Sequence, residues 1–430
     1  MQAALVDDSA LEPTGAIRQH RSPPTWLFAV ISLSYGIYTS GFAVLLSFLL
    51  RREGTPVSSI ANEIALLAIP ATIFFLWGPL SDFWLRRRSW FLVSYATAAV
   101  AVGAAFQLRS LAEPAAVTLL FLAGCAVTLA SASKGGLIAE LVPDHRRTQA
   151  ASMMQAGILT GGALGGGGLV LLAQHVSRSR LGLVAGAVLL LPALAVLSID
   201  EPPIKPLGGI QHLGQRIALI GSEFKSTFLR WSAVPILLLL VAPMSSGAAV
   251  GLIPGIAVDF GINGNQIAWL NGVAGALLMA AGAMLVVLIP GRFDTRVTFT
   301  LAGLANALAI GVLCVGPTAP ATYLVGTCLY LLTIGSGLAL YQGLVLRFVG
   351  PAGASGSTRY SIASSIGTIC VVYMEAADGR GAKWFGPRGL PGMDMVLSGG
   401  AAIAFLIYFA ATRRRAESSE SVQVPAPDPA

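Results

Sequence analysis

The chain has 430 residues, of which 55% are hydrophobic and only 11% charged, and its mean hydropathy is +0.75. A soluble domain carries about 25% charged residues, so this composition excludes an ordinary water-soluble globular protein. The net charge of +7 does not indicate a nucleic-acid partner, because the basic residues sit in short segments between apolar blocks.

Residues 1–25 are polar and contain proline, which reads as an N-terminal tail with no cleavable leader. Twelve apolar blocks follow, at about 26–49, 58–80, 89–108, 114–140, 149–173, 181–199, 232–257, 266–289, 297–316, 320–348, 357–376 and 395–412. Each is about 20 residues, enough for a helix to cross a ~30 Å hydrocarbon core. Helix is the only suitable element, since lipid cannot satisfy open strand edges and no alternating barrel pattern is present. The polar stretch 200–231, with Pro202, Pro203 and Pro206, separates a bundle at 26–199 from a second at 232–412. An amphipathic helix within 209–230 fits the membrane interface. The tail, 413–430, ends acidic and proline-rich and is expected to be disordered. The fold class is therefore an all-α membrane protein of two six-helix bundles.

Loop charges test this layout. If the N-terminus is cytoplasmic, inside segments hold 18 Lys and Arg and outside segments hold 8, with Lys134 inside a span completing the 27. That bias favours both termini inside, as an even number of spans requires. Cys125, Cys314, Cys328 and Cys370 all lie in apolar blocks and form no CxxC pair. The four histidines lie in tail or loops, and no HExxH, nucleophile elbow or Walker loop is present. No metal, cofactor or enzymatic chemistry is expected, and the missing nucleotide motif argues for secondary rather than ATP-driven transport. A membrane-embedded enzyme or assembly factor would need a charged or metal-binding cluster, which the sequence does not offer.

The turn between the second and third blocks reads Gly78-Pro79-Leu80-Ser81-Asp82-Phe83-Trp84-Leu85-Arg86-Arg87-Arg88. The turn at the equivalent place in the second half, Pro290-Gly291-Arg292-Phe293-Asp294-Thr295-Arg296, echoes it weakly. Repeated halves with a site at their interface are a common transporter plan. Through Gly78, Leu80, Asp82, Arg86, Arg87 and Arg88 the first turn resembles the cytoplasmic signature of the major facilitator superfamily. Residues 45–145, including Arg51-Arg52-Glu53-Gly54 and the Glu140-Leu141-Val142-Pro143 turn, look like the branch holding AmpG-type muropeptide permeases and acetyl-CoA transporters. That branch carries acids in helix four, where this chain has Ser131-Ala132-Ser133-Lys134-Gly135-Gly136. In helix five, Gly157, Gly161 and Gly165 in the run 157–166 resemble the antiporter signature of drug exporters. A close helix contact at i, i+4, i+8 spacing explains the same glycines.

The superfamily resemblance implies that Asp82 latches the N-terminus of helix eleven near Ser355-Gly356-Ser357, where backbone N–H groups and the dipole favour an anion. Arg86, Arg87 and Arg88 are read mainly as inside-positive anchors, with a secondary role in partnering acids. Lys134 sits in a span, where a lysine costs about 2.5–3.5 kcal/mol at the centre. It is expected either to face a cavity and attract an anion or to snorkel to the interface. Thr128 and Ser131 share its face. Tyr35, Tyr38, Gln155, Ser245, Ser246, Asn271, Gln342, Arg359 and Tyr360 complete the expected cavity lining. Pro243 should break helix seven and free carbonyls there. Glu63 and Glu375 are the candidate proton carriers, because burial would bring a carboxyl into the working range. The expected partners are the lipid bilayer, a small anionic or amphiphilic solute and protons, with a monomeric chain in a bacterial inner membrane. Import of a cell-wall fragment or siderophore is the favoured activity, and drug/proton exchange is the alternative.

Overall fold

The computed structural model describes residues 22–82, 85–201, 213–289, 293–350 and 355–422. Among these, every regular element is helical. Helix α1 is Trp26–Arg52, with a π turn at Ile37–Gly41. Helix α2 is Val57–Thr72, and the chain then bends by 44° into the segment ending in α3, Trp77–Asp82. The first half continues with α4 (Arg87–Ala105), α5 (Pro114–Leu141), α6 (Asp144–Leu172) and α7 (Arg178–Ser198).

The stretch 200–231 contains α8, Leu213–Phe228; residues 202–212 lie outside those described. The second half begins with α9 (Val234–Val241) and α10 (Ala248–Ile256). These are followed by α11 (Gly264–Trp269), α12 (Gly275–Leu285), α13 (Thr295–Val315), α14 (Pro320–Val349), α15 (Gly356–Phe385) and α16 (Gly389–Val422). The last helix thus runs ten residues past the expected end of the twelfth block, and 423–430 lie outside the described residues. Phe83 and Trp84 of the signature turn, and 290–292 of its counterpart, also lie outside.

Seven helical runs among the described residues are long and apolar enough to cross a membrane, or nine if each of two bent pairs is one span. One of the seven, Gly356–Thr412, covers two antiparallel passes. Gly386 has φ +68, and a Cβ at Gly381 would lie 2.4 Å from the Gly389 carbonyl oxygen. Residues eight apart in a straight helix are about 12 Å apart, so the chain has doubled back. The sequence expectation ended the eleventh span at 376 and began the twelfth at 395. The helices instead meet across three residues, because glycines that read as loop permit a tight helical hairpin.

Helices α1 and α6 pack along the glycine run. A Cβ at Gly157, Gly161 or Gly165 would meet the carbonyl oxygen of Ala29, Leu33 or Ile37 at 2.1, 2.2 or 2.8 Å. The same four-residue step on both helices lets the backbones touch. Gly161→Leu is expected to destabilise the fold by about 1–3 kcal/mol or more, because the obstacle is backbone and cannot rotate away. A lower thermal unfolding midpoint in detergent checks this, with Gly168→Leu, at a position where an added Cβ meets nothing within 4 Å, as the control.

The break between α9 and α10 falls at Pro243, as its missing N–H dictates. Ser245 there has φ +51, the only positive φ at a non-glycine among the described residues. The freed carbonyls find donors on the last two helices. Tyr373 Oη donates to Val241 O at 2.5 Å, Cys370 Sγ to Ala242 O at 3.1 Å, and Ser398 Oγ to Pro243 O.

Candidate functional site

Asp82 ends α3, and its carboxylate accepts five hydrogen bonds from two helices, α15 and α4. Across the two halves, Ser357 N–H donates to Oδ1 at 3.2 Å, while Thr358 donates to Oδ2 through N–H and Oγ1, both at 2.8 Å. Both donors are in the first turn of α15, where orphan N–H groups and the helix dipole favour an anion. Within its own half, Arg87 Nη2 and Nε donate to Oδ1 at 3.0 and 3.2 Å.

Arg87 is the hub of this cluster. It also donates through Nη1 to Glu140 and through Nε to Ser357 Oγ at 3.2 Å. Burial alone would weaken its hold on the proton, but the carboxylates of Asp82, Glu140 and Glu201 more than offset this and raise it above its usual value. Glu201 caps α4 from just past the end of α7, accepting from the N–H groups of Arg87 and Arg88 at 2.9 Å each. The signature arginines therefore differ in role. Arg87 is buried in the cluster, Arg88 holds the Ile199 carbonyl at 2.9 Å, and Arg86 is exposed. The expected secondary role in partnering acids falls to Arg87.

Three glycines seat α15 against the first half. A Cβ at Gly78 would lie 2.6 Å from Thr358 Cα, one at Gly135 would lie 1.9 Å from the Tyr360 ring, and one at Gly136 would lie 2.3 Å from Ser357 Oγ. Helix α8 adds a second clasp on the same helix start. Glu223 accepts from Ser355 N–H at 3.0 Å and from its hydroxyl, with Arg359 Nη2 4.0 Å away. Arg359 also donates to the Val349 carbonyl at 2.9 Å. It belongs to this clasp rather than to a cavity wall, contrary to the sequence expectation.

Deeper in the molecule, Lys134 is 1% exposed. Its ammonium donates to Ser32 Oγ on α1 at 3.0 Å and lies 5.4 Å from the centre of the Tyr35 ring, within cation–π range. No carboxylate pairs with it among the described residues. It points across the bundle to α1, so it does not snorkel. Tyr95, fully buried, has a hydroxyl without a partner among the described residues and interacts electrostatically with Tyr35. Tyr360 donates to Gln342 Oε1 at 3.2 Å and stands edge-on to Phe74. Gln155 on α6 and Ser131 on α5 are buried.

Tyr38 and Thr128 line a separate cavity of about 130 Å³ between α1, α2 and α5, with Phe42, Leu46 and Ile64. A larger one, about 280 Å³, lies between the halves at the latch end and is lined by His145, Arg146, Gln149 and Arg347. Ser245 is buried against Gly337 and Ser246 Oγ accepts from Ala248 N–H at 3.2 Å, so both serve the helix break. The side chain of Asn271 lies outside the described residues. Glu63 is half-buried near Glu53. Glu375 is exposed; the buried carboxylate on that helix is Asp378, 0% exposed and one turn on.

A family model of the Major Facilitator Superfamily matches residues 26–372. The chain belongs to this superfamily. Major facilitator structures of other proteins superpose on most of it. The proton:xylose symporter XylE bound to 6-bromo-6-deoxy-D-glucose matches with TM-score 0.66 at 16% identity, covering 90% of this chain and 94% of XylE. A double-tryptophan mutant of XylE matches with TM-score 0.67 at 17% identity, covering 88% and 93%. The human organic anion transporter MFSD10 matches with TM-score 0.63 at 16% identity, covering 89% and 99%. At such identities the likeness is one of fold. No curated protein sequence matches. The chain is thus a multi-pass major facilitator protein of the membrane, a family of small-molecule transporters rather than enzymes.

Proposed function

We propose that this major facilitator protein is a secondary active importer of a small anionic or amphiphilic solute, driven by protons. The observation that carries the cargo class is Lys134, a buried ammonium that meets one hydroxyl and one aromatic face and no counter-carboxylate among the described residues. A buried charge needs a partner, and an anionic substrate supplies it. In this reading the chain has twelve spans in two six-helix bundles, 26–199 and 232–412, with both termini cytoplasmic in a bacterial inner membrane, and works as a monomer.

The Asp82 latch lies on the cytoplasmic side in this orientation. Its closure, with the three glycine seats, gives an outward-facing state, and rocking of the halves alternates access to the site. A cell-wall fragment or siderophore fits the cargo class, in keeping with the resemblance to the AmpG-type branch. That an organic anion transporter shares the fold supports only the compatibility of such cargo with it. Drug/proton exchange is the weaker reading, because packing on α1 accounts for the helix-five glycines.

Uptake into proteoliposomes under an imposed pH gradient tests the proposal. Losing a hydrogen bond to a charged group removes about 1.5–3 kcal/mol, so Lys134→Ala is expected to weaken transport of anions about ten- to a hundredfold. Lys134→Arg should retain more of it. Anion uptake that ignores the gradient ends the coupling claim, and a Lys134→Ala rate equal to the parent's ends the site assignment.

A further inference from the structure

The second half contains a buried acidic pair with no basic partner among the described residues. Asp378 on α15 is 0% exposed, and neither of its carboxylate oxygens has a hydrogen-bond partner among the described residues. Asp394, in the second turn of α16, is 1% exposed; Oδ1 lies 2.9 Å from Ser398 Oγ, whose one proton it shares with the Pro243 carbonyl, and Oδ2 has no partner among the described residues. The two helices form the hairpin closed by Gly386, and the two carboxylates interact electrostatically.

A third helix supplies an independent observation. Tyr330 on α14 is fully buried, its hydroxyl has no side-chain partner among the described residues and has only the Ala249 backbone beside it, and it interacts with both carboxylates. Thr327, three residues earlier on the same helix, is also buried with an unpartnered hydroxyl. The other titratable groups that bear on the pair are Glu375, exposed on α15, and Cys370, whose Sγ is committed to the Ala242 carbonyl. Neither aspartate forms an ion pair among the described residues.

Two bare carboxylates in one apolar site cannot both stay ionised, and like-charge pairs of this kind share a proton. A proton also repairs the hydrogen-bonding deficit, turning one acceptor into a donor for its neighbour or for Tyr330. Sodium suits the site less well. It would need oxygen ligands on several sides, while the nearby broken-helix carbonyls of Val241, Ala242 and Pro243 are already occupied by side-chain donors. We propose that Asp378 and Asp394, with the Tyr330 hydroxyl, form a proton-binding site in the second bundle. Ser398 connects this site to the helix-seven break, because its hydroxyl touches both Asp394 and the Pro243 carbonyl. Loss of the proton would change that hydroxyl's partner balance at the segment where α9 meets α10. The site gives the proton-coupled reading a carrier, and that role rests on the reading; proton occupancy itself does not.

Infrared spectra of the purified full-length protein, recorded at stepped pH without substrate, test it through the carbonyl stretch of a protonated carboxylic acid. The parent should show such a band at neutral pH and lose it on alkalinisation. Asp378→Asn and Asp394→Asn should each lack the band, Glu375→Gln should keep it, and Tyr330→Phe should shift it. No band in the parent, a band untouched by either Asn variant, or a band bleached by sodium at constant pH overturns the proposal. If the Asn variants do not fold, Tyr330→Phe decides, since an unshifted band overturns it. A band that behaves as expected in a protein whose transport ignores the pH gradient would end the coupling reading and leave the site standing.

Discussion

Asp82→Ala is expected to release the latch end and to lower transport roughly tenfold or more. Asp82 holds two backbone N–H groups and one hydroxyl of α15 together with the Arg87 guanidinium, and all of this is buried. Removing one member of a buried charged pair costs about 3–5 kcal/mol, chiefly because the other charge is stranded. Glu140 still partners Arg87, which favours the lower figure. Opening of this end lets water reach Arg87 and the α15 N–H groups, so the penalty falls on the closed state alone. Three kcal/mol is more than a hundredfold in the closed-to-open ratio.

Spin labels at Arg86→Cys and Arg296→Cys, both exposed, read that ratio in a background with the four native cysteines replaced. The parent should give a short distance and Asp82→Ala a long one. Asp82→Asn should fall between, because its amide oxygen can still accept from α15 while the charge is gone. Parent-like distances in Asp82→Ala would mean that the glycine seats and the Glu223 clasp close this end without the carboxylate.

The Asp82 latch was legible because its parts are local or positional: a signature turn on one side and a helix N-terminus on the other. The helix-five glycines were legible for a similar reason, since their spacing alone implies a backbone contact. What escaped was decided by packing across the chain. Glu201 and Glu223 sit in or beside the polar 200–231 stretch, and nothing local says that one caps α4 and the other clasps Ser355. Asp378 and Asp394 escaped through boundary placement. The first lies two residues after the expected eleventh span and the second one residue before the twelfth, in a glycine-rich stretch that reads as loop. The helices extend through it, and both acids become interior. Glu375 looked like the better candidate because it closed the apolar block, yet its position on the helix turns it outward. Arg359 looked like a cavity residue for a comparable reason. Only the structure places α8 beside it.

Gly135→Leu should prevent the same closure by a different route. A Cβ there would stand 1.9 Å from Tyr360 Cδ1 and 2.4 Å from Cγ, so the conflict reaches the root of the ring. The ring cannot easily swing aside, since Tyr360 is buried, meets Phe74 edge-on and bonds to Gln342. Overpacking of this kind costs about 1–3 kcal/mol, and the remaining leucine atoms add to it. The clash exists only while α5 and α15 are together, so the substitution should shift the label distances toward the open state with every charged group of the latch intact. Tyr360→Ala in the same chain removes the ring and should restore the short distance. It should not do so in Asp82→Ala, where the lost interaction lies elsewhere. Failure of Tyr360→Ala to rescue Gly135→Leu would show that the leucine disturbs α5 itself, and that closure at this end does not depend on the Gly135–Tyr360 contact.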